Sequence, residues 1–240
     1  MSVRTEELFE LIRARIVADE FKAGDRLPPE RDLAVAYGTN RNTLREAIRR
    51  LEQARLVTVR QGQGVTVADF RTRGTLDLIG PFLEHGRDIR EKAELLLGLL
   101  EPRAQVVEYL VESAGKRGMP EDFDRLDAAA KALREAESKR DARAFVEAQE
   151  RWLDALVVAT HNLALRWVAN PFLESIRGMM ERALDLVVFE PSLADMAERA
   201  IALMRKGDPQ AARAITEAFH RDVDEKLRRV LEPASKASVG

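Results

Sequence analysis

Residues Pro28 to Leu51 read PPERDLAVAYGTNRNTLREAIRRL, and their spacing decides how the chain begins. From Glu30 to Tyr37 the apolar residues Leu33, Ala34 and Tyr37 recur at helical intervals over two turns. Gly38 breaks that pattern and Thr39 and Asn40 are turn and N-cap types. A second run follows, in which Leu44, Ala47, Ile48 and Leu51 share one helical stripe. Two short helices joined by a tight glycine-containing turn make a helix-turn-helix. The free side of the second helix carries Arg41, Asn42, Thr43, Arg45, Arg49 and Arg50, opposed by Glu46. Forked guanidiniums beside short hydrogen-bonding side chains suit phosphates and base edges in a DNA major groove.

A solvated basic face would carry the same charges, and the neighbouring residues discriminate. Val57, Val59, Val65 and Val67 flank the turn Arg60 to Gly64, RQGQG, an alternation around a glycine-rich tip that predicts a two-stranded hairpin. A hairpin directly after such a helix is a wing, and its tip offers Arg60, Gln61 and Gln63 to a backbone or minor groove. Upstream, Leu8, Ile12, Ile16 and Val17 predict an amphipathic first helix with Thr5 as its N-cap. The segment FKAGDRLPP between the two has turn chemistry, because proline is tolerated only at a helix start.

The string LPPERDLA, a turn, NRNTLREAIRRLEQARLV and a glycine-rich wing together resemble the winged helix-turn-helix of GntR-type bacterial transcription regulators. The resemblance implies DNA contacts at Arg31, Arg41, Thr43, Arg45, Gln61 and Gly62. Asn42 and Arg49, on the same free helix face, complete the candidate set.

The composition is that of a soluble helical protein, with 45% hydrophobic, 33% charged and only 5% aromatic residues. The absence of cysteine excludes disulfides and thiolate metal sites and suits a reducing cytoplasm. No apolar run reaches the ~20 residues of a membrane helix, and Glu6 and Glu7 stand where a signal peptide would be basic and apolar. The 39 Lys and Arg are balanced by 41 Asp and Glu, which argues against a nonspecific DNA coat. Between Tyr37 and Val65, however, Arg41, Arg45, Arg49, Arg50, Arg55 and Arg60 face only Glu46 and Glu52.

After the wing the strand signals stop. The expected fold is therefore mainly α: a winged helix-turn-helix over residues 1–69, a linker at 70–74, an all-α antiparallel helical bundle over 75–231 and a disordered tail at 232–240. Predicted helices are Thr75 to Leu83, Ile89 to Ser113, Glu121 to Ser138, Asp141 to Thr160, Asn162 to Val188, Ser192 to Lys206 and Pro209 to Leu231. Pro102 predicts a kink or two abutting helices, and Pro171 predicts the start of a new one.

This arrangement resembles the FadR branch of the GntR family, most clearly in AFVEAQERWLDALVVATHN and RAIALMRKGDPQAARAITEAFH. That resemblance implies a homodimer on operator DNA and a small-molecule effector in the bundle. Many members hold a metal there with one Asp and three His. The matched positions here carry Gln149, Leu153, Ala197 and Phe219, so no metal or other cofactor is expected. His161 and His220 lie out of phase with those positions and read as capping or surface residues. The acyl-CoA-binding type of the branch, which also lacks the metal, is the nearest analogy and needs an apolar tunnel with polar anchors. Arg103, Gln149, Arg177 and Arg182 are the candidates, although each also reads as an ordinary polar or snorkelling side chain. Trp152 and Trp167 read as core.

The expected function is a sequence-specific transcription regulator, a repressor in the family's common mode, answering to an organic acid or acyl-CoA. Two alternatives stay open: an architectural DNA-binding protein whose bundle only oligomerises, and an enzyme using the bundle pocket. Against the enzyme, residues 75–240 contain no Ser-His-Asp-like set, phosphate loop or zinc signature.

Overall fold

The computed structural model describes residues 4–60, 62, 64–182, 184, 187–189 and 191–236, Arg182 by its backbone alone. The chain divides into two compact units, Met1–Ile89 and Arg90–Gly240.

In the first unit, α1 (Thr5–Val17), α2 (Glu30–Ala36) and α3 (Arg41–Gln53) precede an antiparallel hairpin, β1 (Val57–Arg60) and β2 (Gly64–Val67). Arg4, not Thr5, is the N-cap of α1: its amide donates to the Glu7 carboxylate at 3.0 Å, which places Thr5 inside the first turn. Gly38 sits at φ +60°, in the left-handed region that the reversal after α2 requires. Asn40 caps α3, its Oδ1 accepting the Thr43 amide at 2.9 Å. Leu8, Ile12 and Ile16 of α1 meet Leu33, Leu44, Ile48, Leu51 and the hairpin valines Val57, Val65 and Val67 in one core. The FKAGDRLPP stretch does more than turn. Its Gly24 and Leu27 amides each donate to β2 at 2.9 Å, so the hairpin is paired along its second edge as well.

The expected linker at 70–74 is not where the chain divides. Asp69 caps a single helical turn, α4 (Phe70–Arg73), and Phe70 and Leu78 are buried in the first core. The predicted helix from Thr75 is a 3-10 turn at Leu76–Leu78 running into α5 (Ile79–His85), which packs on α1. Apolar groups this close to the wing are buried most economically against the nearest core.

The second unit contains α6 (Ile89–Arg117), α7 (Pro120–Lys139), α8 (Ala142–Ala159), α9 (Leu163–Arg182), α10 (Leu193–Arg205) and α11 (Pro209–Ser235). Its core runs from Leu110, Val111 and Ala114 through Leu126, Leu133, Trp152 and Leu156 to Ala197, Ile201 and Met204. Helices α6 and α11 are antiparallel and laced by three polar pairs: Arg103 with Asp224, Glu108 with His220, and Glu112 with Arg213.

One proline expectation narrows, since two abutting helices are not found at Pro102, and one changes. Pro102 lies inside α6, and Pro171 lies inside α9 without starting a new helix. In each case the proline, and the residue four before it whose carbonyl loses a partner, are exposed: Gly98 for Pro102, Trp167 for Pro171. A carbonyl at an exposed position can bond water, which lowers the usual cost of the interruption. At the C-terminus α11 continues to Ser235, past the expected tail boundary at 232, and residues 237–240 lie outside the described set.

Candidate DNA-reading surface and bundle cavity

Helix α3 buries Leu44, Ala47, Ile48 and Leu51 and turns its other side outward. Arg41, Asn42, Arg45 and Arg49 are exposed and Thr43 is half-buried beside its cap. The first turn of α3 contains no acid, whereas those of α1 and α2 each contain two. The positive end of the helix dipole therefore coincides with Arg41, which has no acidic partner among the described residues, and the potential there favours an anion.

The remaining guanidiniums rest on weak partners. Arg45 Nε donates to Glu30 Oε2 at 2.8 Å, Arg49 Nη1 to Glu46 Oε2 at 3.3 Å, and Arg31 lies 3.5 Å from Asp32. All three arginine side chains are more than 60% exposed. Pairs of this kind are worth ~0–1 kcal/mol, so a phosphate or guanine edge can displace the acid at little cost. Arg50 behaves differently from its neighbours on the predicted free face. It bonds Glu6 of α1 and stacks 4.9 Å over the Phe9 ring, which makes it a strut between α1 and α3. The wing is tied to the same helix, because Glu52 Oε1 accepts the Val59 amide at 3.0 Å. Gly62 at the tip is exposed with φ +75°; Gln61 and Gln63 lie outside the described residues.

In the second unit, α6, α8, α9 and α11 enclose a cavity of about 120 Å³. Its wall is mostly aliphatic, aromatic and methionine, including Leu99, Phe145, Ile176, Met180 and Val223. Its polar residues are Arg103, Gln149, His220 and the indole of Trp152. Of the four candidate anchors, Arg103 and Gln149 meet here. Arg177 instead bonds Glu150 and lines a neighbouring groove of about 280 Å³, in which Gln149 also takes part. The side chain of Arg182 lies outside the described residues.

Five buried side-chain polar atoms lack a hydrogen-bond partner among the described residues, and three of them belong to residues that line this cavity: Arg103 Nε, Gln149 Oε1 and Trp152 Nε1. An orphaned buried group carries its full desolvation cost, so three around one cavity call for an explanation.

His220 overturns its expected place at the surface. It is 4% exposed, lines the cavity and lies 3.3 Å by Nδ1 from Glu108 Oε1, itself buried. Burial, with the Arg103 charge adding to it, pushes His220 down to about 3, so the ring is neutral. Burial likewise raises the Glu108 carboxyl, with Glu217 adding to the effect. Asp224 is raised by burial against the pull of Arg103, whose own guanidinium is lowered by burial. His161 does lie at a helix end, 2.6 Å by Nε2 from Asp122 Oδ2. Trp167, expected in the core, is 68% exposed on α9. The sequence signal for Glu108, His220 and Asp224 is only that each is a polar residue on a long amphipathic helix, which does not show that its side faces the interior.

The positions matched to the family's metal ligands do not fit a metal. Gln149, Leu153 and Phe219 line the cavity and Ala197 lies in the core, so three of the four side chains have no donor atom. Among the described residues no three His, Asp or Glu side chains come together as a ligand set.

Residues 4–67 match the family described as bacterial regulatory proteins, gntR family, and residues 99–221 match the FCD domain. The chain is 34% identical over 221 residues to the uncharacterized HTH-type transcriptional regulator Rv0494 of Mycobacterium tuberculosis, covering 89% of this chain and 85% of that one. It is 26% identical over 181 residues to the galactonate operon transcriptional repressor of Escherichia coli, covering 75% and 76% of the two chains. Among solved structures, that of Lar, which controls expression of the Listeria monocytogenes agr system, superposes with a TM-score of 0.63. At 16% identity over 96% of this chain and 99% of that one, the likeness shows a shared fold. With an N-terminal gntR-family match, an FCD match over half the chain and a relative similar along nearly its whole length, the chain belongs to the GntR family of bacterial transcription regulators, in the FadR-like branch that carries an FCD domain.

Proposed function

We propose that the chain is an effector-controlled repressor that binds operator DNA as a homodimer in the cytoplasm. Helix α3 lies in the major groove: Arg41, Asn42, Thr43 and Arg45 reach base edges and phosphates, Arg31 and Arg49 hold flanking phosphates, and Gln61 and Gly62 of the wing approach the adjacent minor groove. The observation that carries this reading is the exposed, acid-free N-terminal turn of α3. The similarity to an operon repressor supports the sign of control. A pseudo-palindromic operator requires two heads, and the exposed apolar face of α9, with Leu163, Trp167 and Val168, supports dimerisation through the bundle.

The effector site is the α6–α8–α9–α11 cavity, with Arg103 and Gln149 as anchors; the neighbouring groove adds Arg177, and Arg182 is retained as a candidate by its place on α9. The three unpartnered polar atoms favour a ligand over a purely oligomerising bundle. Among the described residues of the bundle no nucleophile and base are paired in a way that supports catalysis. Selection of bound fragments from genomic DNA by the purified chain, followed by titration of the recovered site, tests the reading. A single enriched, two-fold-related sequence is expected. Enrichment no better than for random duplex would leave only architectural binding.

A further inference from the structure

The cavity's unpartnered atoms prescribe the chemistry of what fills it. Arg103 Nε and Trp152 Nε1 each present an N–H without an acceptor, and Gln149 Oε1 is an acceptor without a donor. Gln149 and Trp152 are one turn apart on α8, and Arg103 lines the same cavity from α6. A ketone, ether or ester satisfies the two donors and leaves the Gln149 oxygen unmet unless the amide turns over. An ammonium would do the reverse. A hydroxyl supplies both functions from one oxygen.

The charge balance points the same way. The guanidinium of Arg103 is already closed by Asp224, and Glu108 stands behind His220. Turning the Gln149 amide over would offer a donor to a carboxylate, but a carboxylate would then add a second negative charge beside one arginine in an apolar enclosure. Size sets the remaining limit. About 120 Å³ is close to the roughly 150 Å³ of apolar cavities that take up benzene, and Met179 and Met180 in the wall can adjust to the ligand's outline.

We propose that the bundle's effector is a small, uncharged, mostly apolar hydroxyl compound, a phenol or a short branched alcohol. Its oxygen accepts from Arg103 Nε and Trp152 Nε1, and its proton is donated to Gln149 Oε1. The proposal rests on the cavity being the effector site and replaces the expected organic acid or acyl-CoA with a different class. An acid would add a second negative charge beside an arginine that Asp224 already neutralises.

The test is titration calorimetry on the full chain with three probes of one shape: p-cresol, toluene and 4-methylbenzoate. p-Cresol is expected to bind, with toluene and 4-methylbenzoate at least about tenfold weaker, since a site built around a hydroxyl rejects analogues lacking it. Gln149→Leu should bring p-cresol to within about threefold of toluene while toluene itself is unchanged. Leu153→Trp, which fills the cavity, should abolish binding of all three. Each variant is first checked for a cooperative melt, and Trp152→Phe serves in place of Gln149→Leu if that variant does not fold.

Tighter binding of 4-methylbenzoate, lost in Leu153→Trp, would overturn the hydroxyl class and leave the effector reading standing. So would indifference to all three probes in a chain whose operator affinity shifts with a deproteinised small-molecule extract. Indifference to the extract as well would overturn both.

Discussion

Arg45 of α3 donates through Nε to Glu30 of α2 at 2.8 Å, a bond spanning fifteen residues that joins the two helices of the reading head. The pair is exposed, so it adds little to stability, but it holds the guanidinium through Nε and leaves the two terminal nitrogens outside this bond. A pair of guanidinium nitrogens is what guanine O6 and N7 accept in the proposed complex. Arg45→Ala is therefore expected to weaken binding to the selected operator by about 1–3 kcal/mol and to random duplex by much less, measured by fluorescence anisotropy at fixed salt. Equal losses on both duplexes would reassign Arg45 to a phosphate.

Most of the head was legible because its signals are local. The stripe through Leu44, Ala47, Ile48 and Leu51, the break at Gly38, the cap at Asn40 and the valine alternation each depend on neighbours a few residues away. What was not legible depends on partners far along the chain. Phe70 looks like a stray aromatic in a polar linker until the first core is assembled around it. Pro171 obeys its local rule as a helix breaker unless the freed carbonyl is known to face water. Arg103 and Gln149 were candidate anchors that also read as ordinary polar side chains, because Asp224 of α11 and the indole of Trp152, which give them meaning, come from other helices or other faces. His220 was misplaced for the same reason: one sequence does not show which side of a helix is interior.

The Arg103 and Asp224 side chains are about 15% exposed and face each other between α6 and α11. Removing one partner leaves the other charge in a poor solvent. Arg103→Ala or Asp224→Ala should each cost about 3 kcal/mol in urea unfolding, and the double replacement Arg103→Met with Asp224→Leu should recover much of that loss. Additive losses in the double variant would mean that the two groups act independently.

Acid should destabilise the bundle through His220. Its folded pKa of about 3 is depressed below the ordinary value of 6.5, so between those two values the unfolded chain binds a proton that the folded chain does not. Stability then rises with pH in that window and falls on acidification. One such group corresponds to a loss of about 2 kcal/mol between pH 7 and pH 5. Glu108 and Asp224, whose carboxyls are raised by burial, oppose this at the lower end, where the folded form holds the extra protons. The clean interval is therefore the first unit or so of pH below 6.5. His220→Gln, which keeps a donor for Glu108, should flatten the melting temperature over that interval, and an unchanged slope would place the acid sensitivity elsewhere.

On α9, Leu163, Trp167 and Val168 are 60%, 68% and 75% exposed; Leu163 and Trp167, four residues apart, are neighbours on the helix surface, and Val168 widens the apolar sector beside them. A large apolar side chain gains about 1.5–3 kcal/mol when it leaves water, and in a symmetric dimer each substitution acts twice. Trp167→Glu removes that gain and places a charge on each copy, so the dissociation constant should rise by at least about a hundredfold in sedimentation equilibrium. The monomer should still melt cooperatively, since the residue contributes almost nothing to the core of its own unit. Operator binding should then fall to that of a single half-site, losing the steep dependence on protein concentration. If the variant sediments as wild type does, the two heads are joined through another face of the bundle, and α9 is free for something else.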